Sequence, residues 1–247
     1  MSYNTPTPVI QIKGLKKSFG KNHVLCDLNL ELQDGENIVV LGKSGSGKSV
    51  LIKCIIGLIQ PDSGSIKVFG EEVTTLSHSK LDEMRLKVGF LFQSNALYDS
   101  MTVRENLEFP LRRHWGRKFM KNSNDLIVEA LTNVGLLDTI DMMPSELSGG
   151  MRKRIALART LILKPKIILY DEPTTGLDPI TAKEISNLML EIQKKYETSS
   201  IIISHDMNCV KITANRIVLL VDGKCYASGS YEELLESTDI KIKQFFD

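Results

Sequence analysis

An α/β fold, a largely parallel sheet covered by helices, is what this sequence of 247 residues predicts. Three observations carry that expectation. Short β-rich segments alternate with helical ones along most of the chain. The segments at 38–41, 167–170 and 201–203 are apolar throughout, the pattern of central parallel strands buried on both faces. Between about residue 94 and residue 164, β-branched runs give way to helical signals, which predicts a mostly helical insertion within the sheet domain.

In chain order, strands are predicted at VIQIKGL (9–15), LNLEL (28–32), ENIVVLG (36–42), SIKVFG (65–70) and VGFLFQ (88–93). Further strands follow at KIILYDE (166–172), SSIIISH (199–205) and RIVLLVDG (216–223). Within the insertion, Thr102 and Glu105 form a capping box ahead of an apolar-periodic stretch, and Ser148 can cap the helix that follows it. A second capping box, Ser230 with Glu233, opens a C-terminal stretch read as two short helices. The expected organisation is one domain over 1–247: a core of about 1–93 and 165–230, the insertion at about 94–164, and C-terminal helices at about 230–247. No repeat, low-complexity tract or linker interrupts it.

Composition narrows the function classes. Hydrophobic residues make up 42% and charged residues 25%, as in ordinary soluble globular proteins. A net charge of +1 gives no strongly basic face, so no nucleic-acid partner is expected. Cys26, Cys54, Cys209 and Cys225 show no metal-ligand spacing and read as reduced, buried thiols. The N-terminal stretch lacks a basic start followed by a long apolar run, so no signal peptide is expected. No apolar run approaches the ~20 residues needed to span a bilayer. Any membrane role must go through a partner chain.

The sequence GKSGSGKS at 42–49 fits G-x-x-x-x-G-K-[ST], placed between an apolar strand and the helical run VLIKCIIGLI. That context is what the phosphate-binding loop requires. Gly42, Gly45 and Gly47 let successive N–H groups point at phosphate oxygens, with Lys43, Ser44, Ser46 and Val50 completing the loop. The helix that follows presents its positive N-terminus to the same charge. Lys48 suits the β- and γ-phosphates and the Ser49 hydroxyl suits Mg²⁺. The expected ligands are therefore ATP and Mg²⁺. KIILYDE ends in adjacent carboxylates: Asp171 suits Mg²⁺ through a water, and Glu172 is expected to face the other way along the pleat and act as general base on an attacking water. LSGGMRKR at 147–154 places Ser148, Gly149 and Gly150 at a helix start, a second anion-binding corner. A chain with one complete phosphate loop has an economical use for another only if it serves a neighbour's ATP.

These elements, taken with Gln93 ending VGFLFQ, the run DEPTTGLD (171–178) and His205 in IIISHD, resemble the nucleotide-binding subunits of ABC transporters over essentially the whole length. The resemblance implies a P-loop NTPase core of RecA type with a small antiparallel β subdomain and an inserted α-helical subdomain. It implies that Gln93 touches the Mg²⁺–water region, that Asp178 crosses a dimer interface, and that His205 addresses the γ-phosphate. Phe19 resembles the aromatic that stacks on adenine, with Phe where Tyr is frequent; a plain core role for it is the alternative. Leu97, Tyr98 and Met101 either floor a groove for a helix of the membrane subunit or pack within the insertion. The basic run RRHWGRK (112–118) is read as a solvated face in preference to a headgroup contact.

Within the family, LFQSNALYDSMTV, FPLRRH, MPSELSGGMRKR and KIKQFFD are most similar to Mla-type ATPases. That implies a homodimer on the cytoplasmic face of the inner (cell) membrane, a polytopic permease, an MCE-domain lipid-binding protein and phospholipid cargo. The rival readings are a soluble ABC ATPase of the iron–sulfur assembly type and an ABC importer or exporter for another cargo.

Overall fold

The computed structural model describes residues 7–115 and 123–246. Among the described residues, ten strands form two sheets. The smaller is antiparallel, in the order β2-β1-β4-β5, from β1 (Ile10–Phe19), β2 (Asn22–Leu32), β4 (Ser63–Val68) and β5 (Glu71–Glu72). The larger has the order β10-β9-β3-β8-β7-β6, from β3 (Asn37–Leu41), β6 (Val88–Leu91), β7 (Ile167–Asp171), β8 (Ser199–Ile203), β9 (Arg216–Val221) and β10 (Lys224–Gly229). Strands β9, β3, β8, β7 and β6 run parallel, and β10 closes one edge antiparallel to β9.

The apolar strands β3, β7 and β8 are buried along their whole length. Their side chains alternate between two cores, as the two-residue period of a strand demands. Ile38, Val40, Ile167, Leu169, Ile201 and Ile203 pack toward the antiparallel sheet and helix α1 (Lys48–Ile55). Val39, Leu41, Ile168, Tyr170 and Ile202 pack toward the helical side. That second core takes in α3 (Val103–Trp115), α4 (Ser123–Asn133), α5 (Gly149–Leu161) and α6 (Pro179–Tyr196). The chain also forms α2 (His78–Lys87), α7 (Met207–Thr213), α8 (Tyr231–Leu235) and α9 (Ile240–Lys243).

Local signals set the helix starts. The Thr102–Glu105 box is formed in both directions ahead of α3. Ser148 caps α5, and the Ser230–Glu233 box caps α8. The structure departs from expectation where pairing, not burial, sustains an element. β1 and β2 extend through polar residues to meet at a tight turn, Phe19 opposite Asn22, because the antiparallel ladder satisfies their backbones. Helix α2 buries only Met84 and so carries no apolar stripe in the sequence. β10 shows no fully buried residue, and β5 is two residues long. All four cysteines are free thiols; Cys54 and Cys209 are buried, whereas Cys26 and Cys225 are half-buried. Leu97 packs against the helical core, while Tyr98 is exposed with its ring against Phe109. Of the basic run, Arg112 and Arg113 are exposed and residues 116–118 lie outside the described residues.

Candidate active site

The glycine-rich turn leaves β3 and enters α1. Gly45 and Gly47 sit at φ of 79° and 101°, a region that side chains with a Cβ occupy at a cost. At Gly47 a Cβ would also lie 2.9 Å from the Val24 carbonyl oxygen. Gly47 is the N-cap of α1, so it supplies no side-chain cap, and no acidic residue occupies the first turn. The first N–H groups of α1 therefore meet no side-chain acceptor, an arrangement suited to an anion. Lys48 is 8% exposed. Its Nζ donates to the carbonyls of Gly42 at 2.8 Å and Lys43 at 3.1 Å. Burial holds its pKa below the ordinary lysine value, against the opposing pull of Glu172 and Asp171.

β7 ends at Asp171, which is buried and accepts a hydrogen bond from Ser49 Oγ at 3.0 Å. The next N–H, of Glu172, still donates to the Ile203 carbonyl of β8 at 3.0 Å. The backbone then turns into the left-handed region, with Glu172 at φ 52°. Alternation along the pleat therefore does not aim this carboxylate, contrary to the expectation from sequence; the strand stops one residue earlier and a turn aims it. Such a conformation costs a non-glycine residue roughly 1–3 kcal/mol and is characteristic of functional sites. Glu172 Oε2 accepts from Thr175 Oγ1 at 3.2 Å and lies 2.7 Å from His205 Nδ1. Glu172 is largely shielded, whereas the His205 side chain is 66% exposed.

Every residue of 42–50 except Ser46 lines a cavity of about 710 Å³, together with Phe19, Gln93, Glu172 and His205. Ser46 lines an adjoining cavity of about 470 Å³, and its buried Oγ meets no partner among the described residues. Asp171 sits behind Ser49. Among the described residues no cluster of three His, Cys, Asp or Glu side chains could cage a metal. The Ser49–Asp171 oxygen pair does fit Mg²⁺, a hard cation that takes one or two protein oxygens and completes its shell with water and substrate phosphate.

Ser148, Gly149, Gly150 and Asp178 do not line that cavity. They lie together where the N-termini of α5 and α6 meet. Ser148 Oγ accepts from the Met151 N–H at 3.2 Å, leaving its own proton free to be donated. A Cβ on Gly150 would come within 2.6 Å of Thr181 Cγ2, so the packing of α5 on α6 calls for glycine there. Asp178 caps α6, accepting from the N–H groups of Ile180 and Thr181 at 3.1 and 3.0 Å and from Thr181 Oγ1 at 2.6 Å. Thr181 thus ties the glycine corner to Asp178.

Residues 25–175 match the ABC transporter family. The chain belongs to that family. It is 40% identical over 238 residues to a probable ribonucleotide transport ATP-binding protein of Mycobacterium leprae, covering 96% of this chain and 68% of the relative. It is 37% identical to the intermembrane phospholipid transport system ATP-binding protein of Haemophilus influenzae, covering 96% of this chain and 89% of that protein. A solved ATP-binding cassette, dimeric and bound to ADP and Pi in a post-hydrolysis state, superposes with a TM-score of 0.80 at 30% identity, covering 90% of this chain and 98% of that one. The P-loop NTPase architecture and an ATPase activity follow for this chain as for other ABC cassettes. Among the described residues no helix is long and apolar enough to cross a membrane.

In this cassette, inspection of the sequence missed the residues that hold the Gln93 loop. Asn95 and Ala96 are both left-handed, at φ 64° and 51°. Their carbonyls accept from Arg159 at 3.1 and 2.8 Å, and the Gln93 carbonyl accepts from Lys153 Nζ at 3.0 Å. Lys153 is 2% exposed, and burial pushes its pKa down to about 8, with Asp171 pulling the other way. Asn106 is fully buried and meets the backbone of Tyr98, Met101 and Thr102. Two cations on α5 thus anchor the loop bearing Gln93 to the helix that begins at Ser148. A sign of this was present: Lys153 shares the four-residue spacing of the buried Leu157 and Leu161, so a lysine stands on an apolar stripe. Val24, Gln244 and Phe245, which also line the larger cavity, carried no such sign.

Proposed function

We propose that this chain is the ATP-hydrolysing subunit of a transporter and works as a head-to-tail homodimer, each copy closing its Ser148 corner over ATP held on the other's glycine loop. The observation behind this reading is the separation of the two anion-binding corners, since Ser148, Gly149 and Gly150 contribute nothing to the chain's own cavity. Asp178 beside the second corner, with Ile180 74% exposed next to it, would lie in the contact between copies.

In this reading the loop 42–49 and Lys48 bind the triphosphate, and Phe19, half-exposed at the mouth, takes the base. Mg²⁺ would be held by Ser49, with Asp171 and Gln93 acting through water, and would neutralise charge on the β- and γ-phosphates. Glu172 takes the proton of the attacking water, and His205, 2.7 Å from it, orients that carboxylate and addresses the γ-phosphate. The α5 anchors on the Gln93 loop make the loop follow any movement of the second corner.

Mixing a Lys48→Ala copy with a Ser148→Arg copy tests the arrangement, because one intact composite pocket forms in the mixed dimer. Recovery of a substantial fraction of wild-type phosphate release from two inactive proteins is expected. No recovery, with an unaltered chain active as a monomer, would refute it. For cargo, we favour phospholipid movement with a polytopic permease and an MCE-domain partner at the cytoplasmic face of the cell membrane; the H. influenzae relative and the segments LFQSNALYDSMTV, FPLRRH, MPSELSGGMRKR and KIKQFFD support this. The mycobacterial relative's name points to ribonucleotides instead. Purifying the native complex in detergent and identifying its subunits and co-purified small molecules discriminates: bound phospholipid with an MCE protein supports the reading, and ribonucleotide-dependent stimulation of ATPase activity without lipid overturns it.

A further inference from the structure

We propose that the turn after α9, Gln244 with Phe245, is a built part of the nucleotide site and grips the purine base. The inference rests on reading the 710 Å³ cavity as the ATP site. Both residues line that cavity and the adjoining 470 Å³ one, and Lys43, Ser44 and Gly45 of the glycine loop line both as well. The chemistry of the larger cavity is polarised. Its phosphate end is marked by the glycine loop, Lys48, Ser49 and Glu172. Its phenyl rings come from distant parts of the chain, Phe19 at the end of β1 and Phe245. A purine has two apolar faces and a polar edge. Phe19, 49% exposed, offers one wall, with Lys17 Nζ 5.2 Å from its ring centroid. Phe245 offers a second, and the Gln244 carboxamide brings both donors and an acceptor to the same place.

The turn is held from both sides, which distinguishes it from a tail that happens to lie nearby. Ahead of it, Ile242 is buried in the helical core. Asp239 caps α9 by accepting from the Lys241 N–H at 2.7 Å, and also accepts from Tyr226 Oη at 2.7 Å. Behind it, the Phe246 ring meets Tyr231 edge-on, with centroids 5.5 Å apart, and the Phe246 N–H donates to the Lys243 carbonyl at 2.8 Å. Phe245 is thus pre-ordered before any base arrives, and little conformational freedom is lost on binding.

The test compares Mg²⁺-ATP with Mg²⁺-tripolyphosphate, which keeps the phosphates and lacks the base, by calorimetry on the full chain. Phe245→Ala should weaken ATP binding about fivefold or more, the scale of one aromatic–base stack. Tripolyphosphate binding should stay within about twofold, as expected when only the base contact is lost. Phe245→Tyr should retain ATP affinity. Phe245→Leu, which keeps an apolar group in the turn, should show an intermediate loss even where the alanine variant folds poorly. Equal loss of ATP and tripolyphosphate would overturn the inference by making the turn a support of the loop, and so would ATP affinity indifferent to Phe245. Failure of the unaltered chain to bind ATP would instead sink the nucleotide reading itself.

Discussion

Replacing Glu172 by Gln removes one charge and one proton acceptor while leaving the shape of the side chain intact. In the structure this carboxylate meets Thr175 Oγ1 at 3.2 Å and His205 Nδ1 at 2.7 Å, and an amide oxygen can accept from either. Its backbone N–H stays on Ile203. The stability cost should therefore be under about 1 kcal/mol, the worth of one exchanged hydrogen bond. Loss of a general base removes about 10²–10⁴ in rate, or roughly 3–5 kcal/mol of barrier. ATP binding should persist, because Lys48 and the glycine loop are untouched and one negative charge has left the phosphate pocket. The assays are single-turnover phosphate release, calorimetric ATP binding and gel filtration with ATP, where the variant should accumulate as a dimer. Phosphate release within about threefold of wild type, far short of the loss a general base implies, would refute the assignment of Glu172 as base. Loss of ATP binding at unchanged Tm would refute the placing of this residue on the water side of the pocket.

Three further changes probe the scaffold of the site. Gly47→Ala places a Cβ at φ 101° and 2.9 Å from the Val24 carbonyl, so it should cost roughly 1–3 kcal/mol in a urea melt and abolish tight ATP binding. Asn106→Leu leaves the Tyr98 N–H without its 2.8 Å acceptor, and a loss of about 2–3 kcal/mol is expected in the same assay. Lys153→Met isolates a lysine held near pKa 8. Between about pH 8 and the ordinary lysine value the unfolded chain binds a proton that the folded chain does not, so wild-type stability should rise with pH relative to the variant. The full difference is on the order of 3 kcal/mol. Parallel stability–pH curves for the two proteins would contradict the buried, depressed lysine.

Much of this protein is legible in one dimension. The parallel strands β3, β7 and β8 could be read because each is buried on both faces and therefore apolar through its central run, 38–41, 167–170 and 201–203. The glycine loop could be read because close approach of backbone to an anion admits few residues, and the Ser148 and Ser230 caps because a helix start asks for one side chain at one offset. These are local constraints, and local constraints leave marks in the sequence. Helix α2 and strand β10 left none, since neither has a fully apolar face to mark.

What the tertiary structure alone decided is how distant pieces combine. Glu172 is aimed by a left-handed turn after β7, not by the strand's alternation. Lys153 and Arg159 reach the carbonyls of Gln93, Asn95 and Ala96 across some 60 residues of chain, as the separations of 60, 63 and 64 record. Asp178 turned out to cap α6 and to share Thr181 with the glycine corner. Phe245 reached the same cavity as Phe19 only once α8 and α9 had folded back on the core. The physical reason is common to all four: a residue type declares what it can bond to, while its partner is chosen by packing, which depends on the whole chain at once.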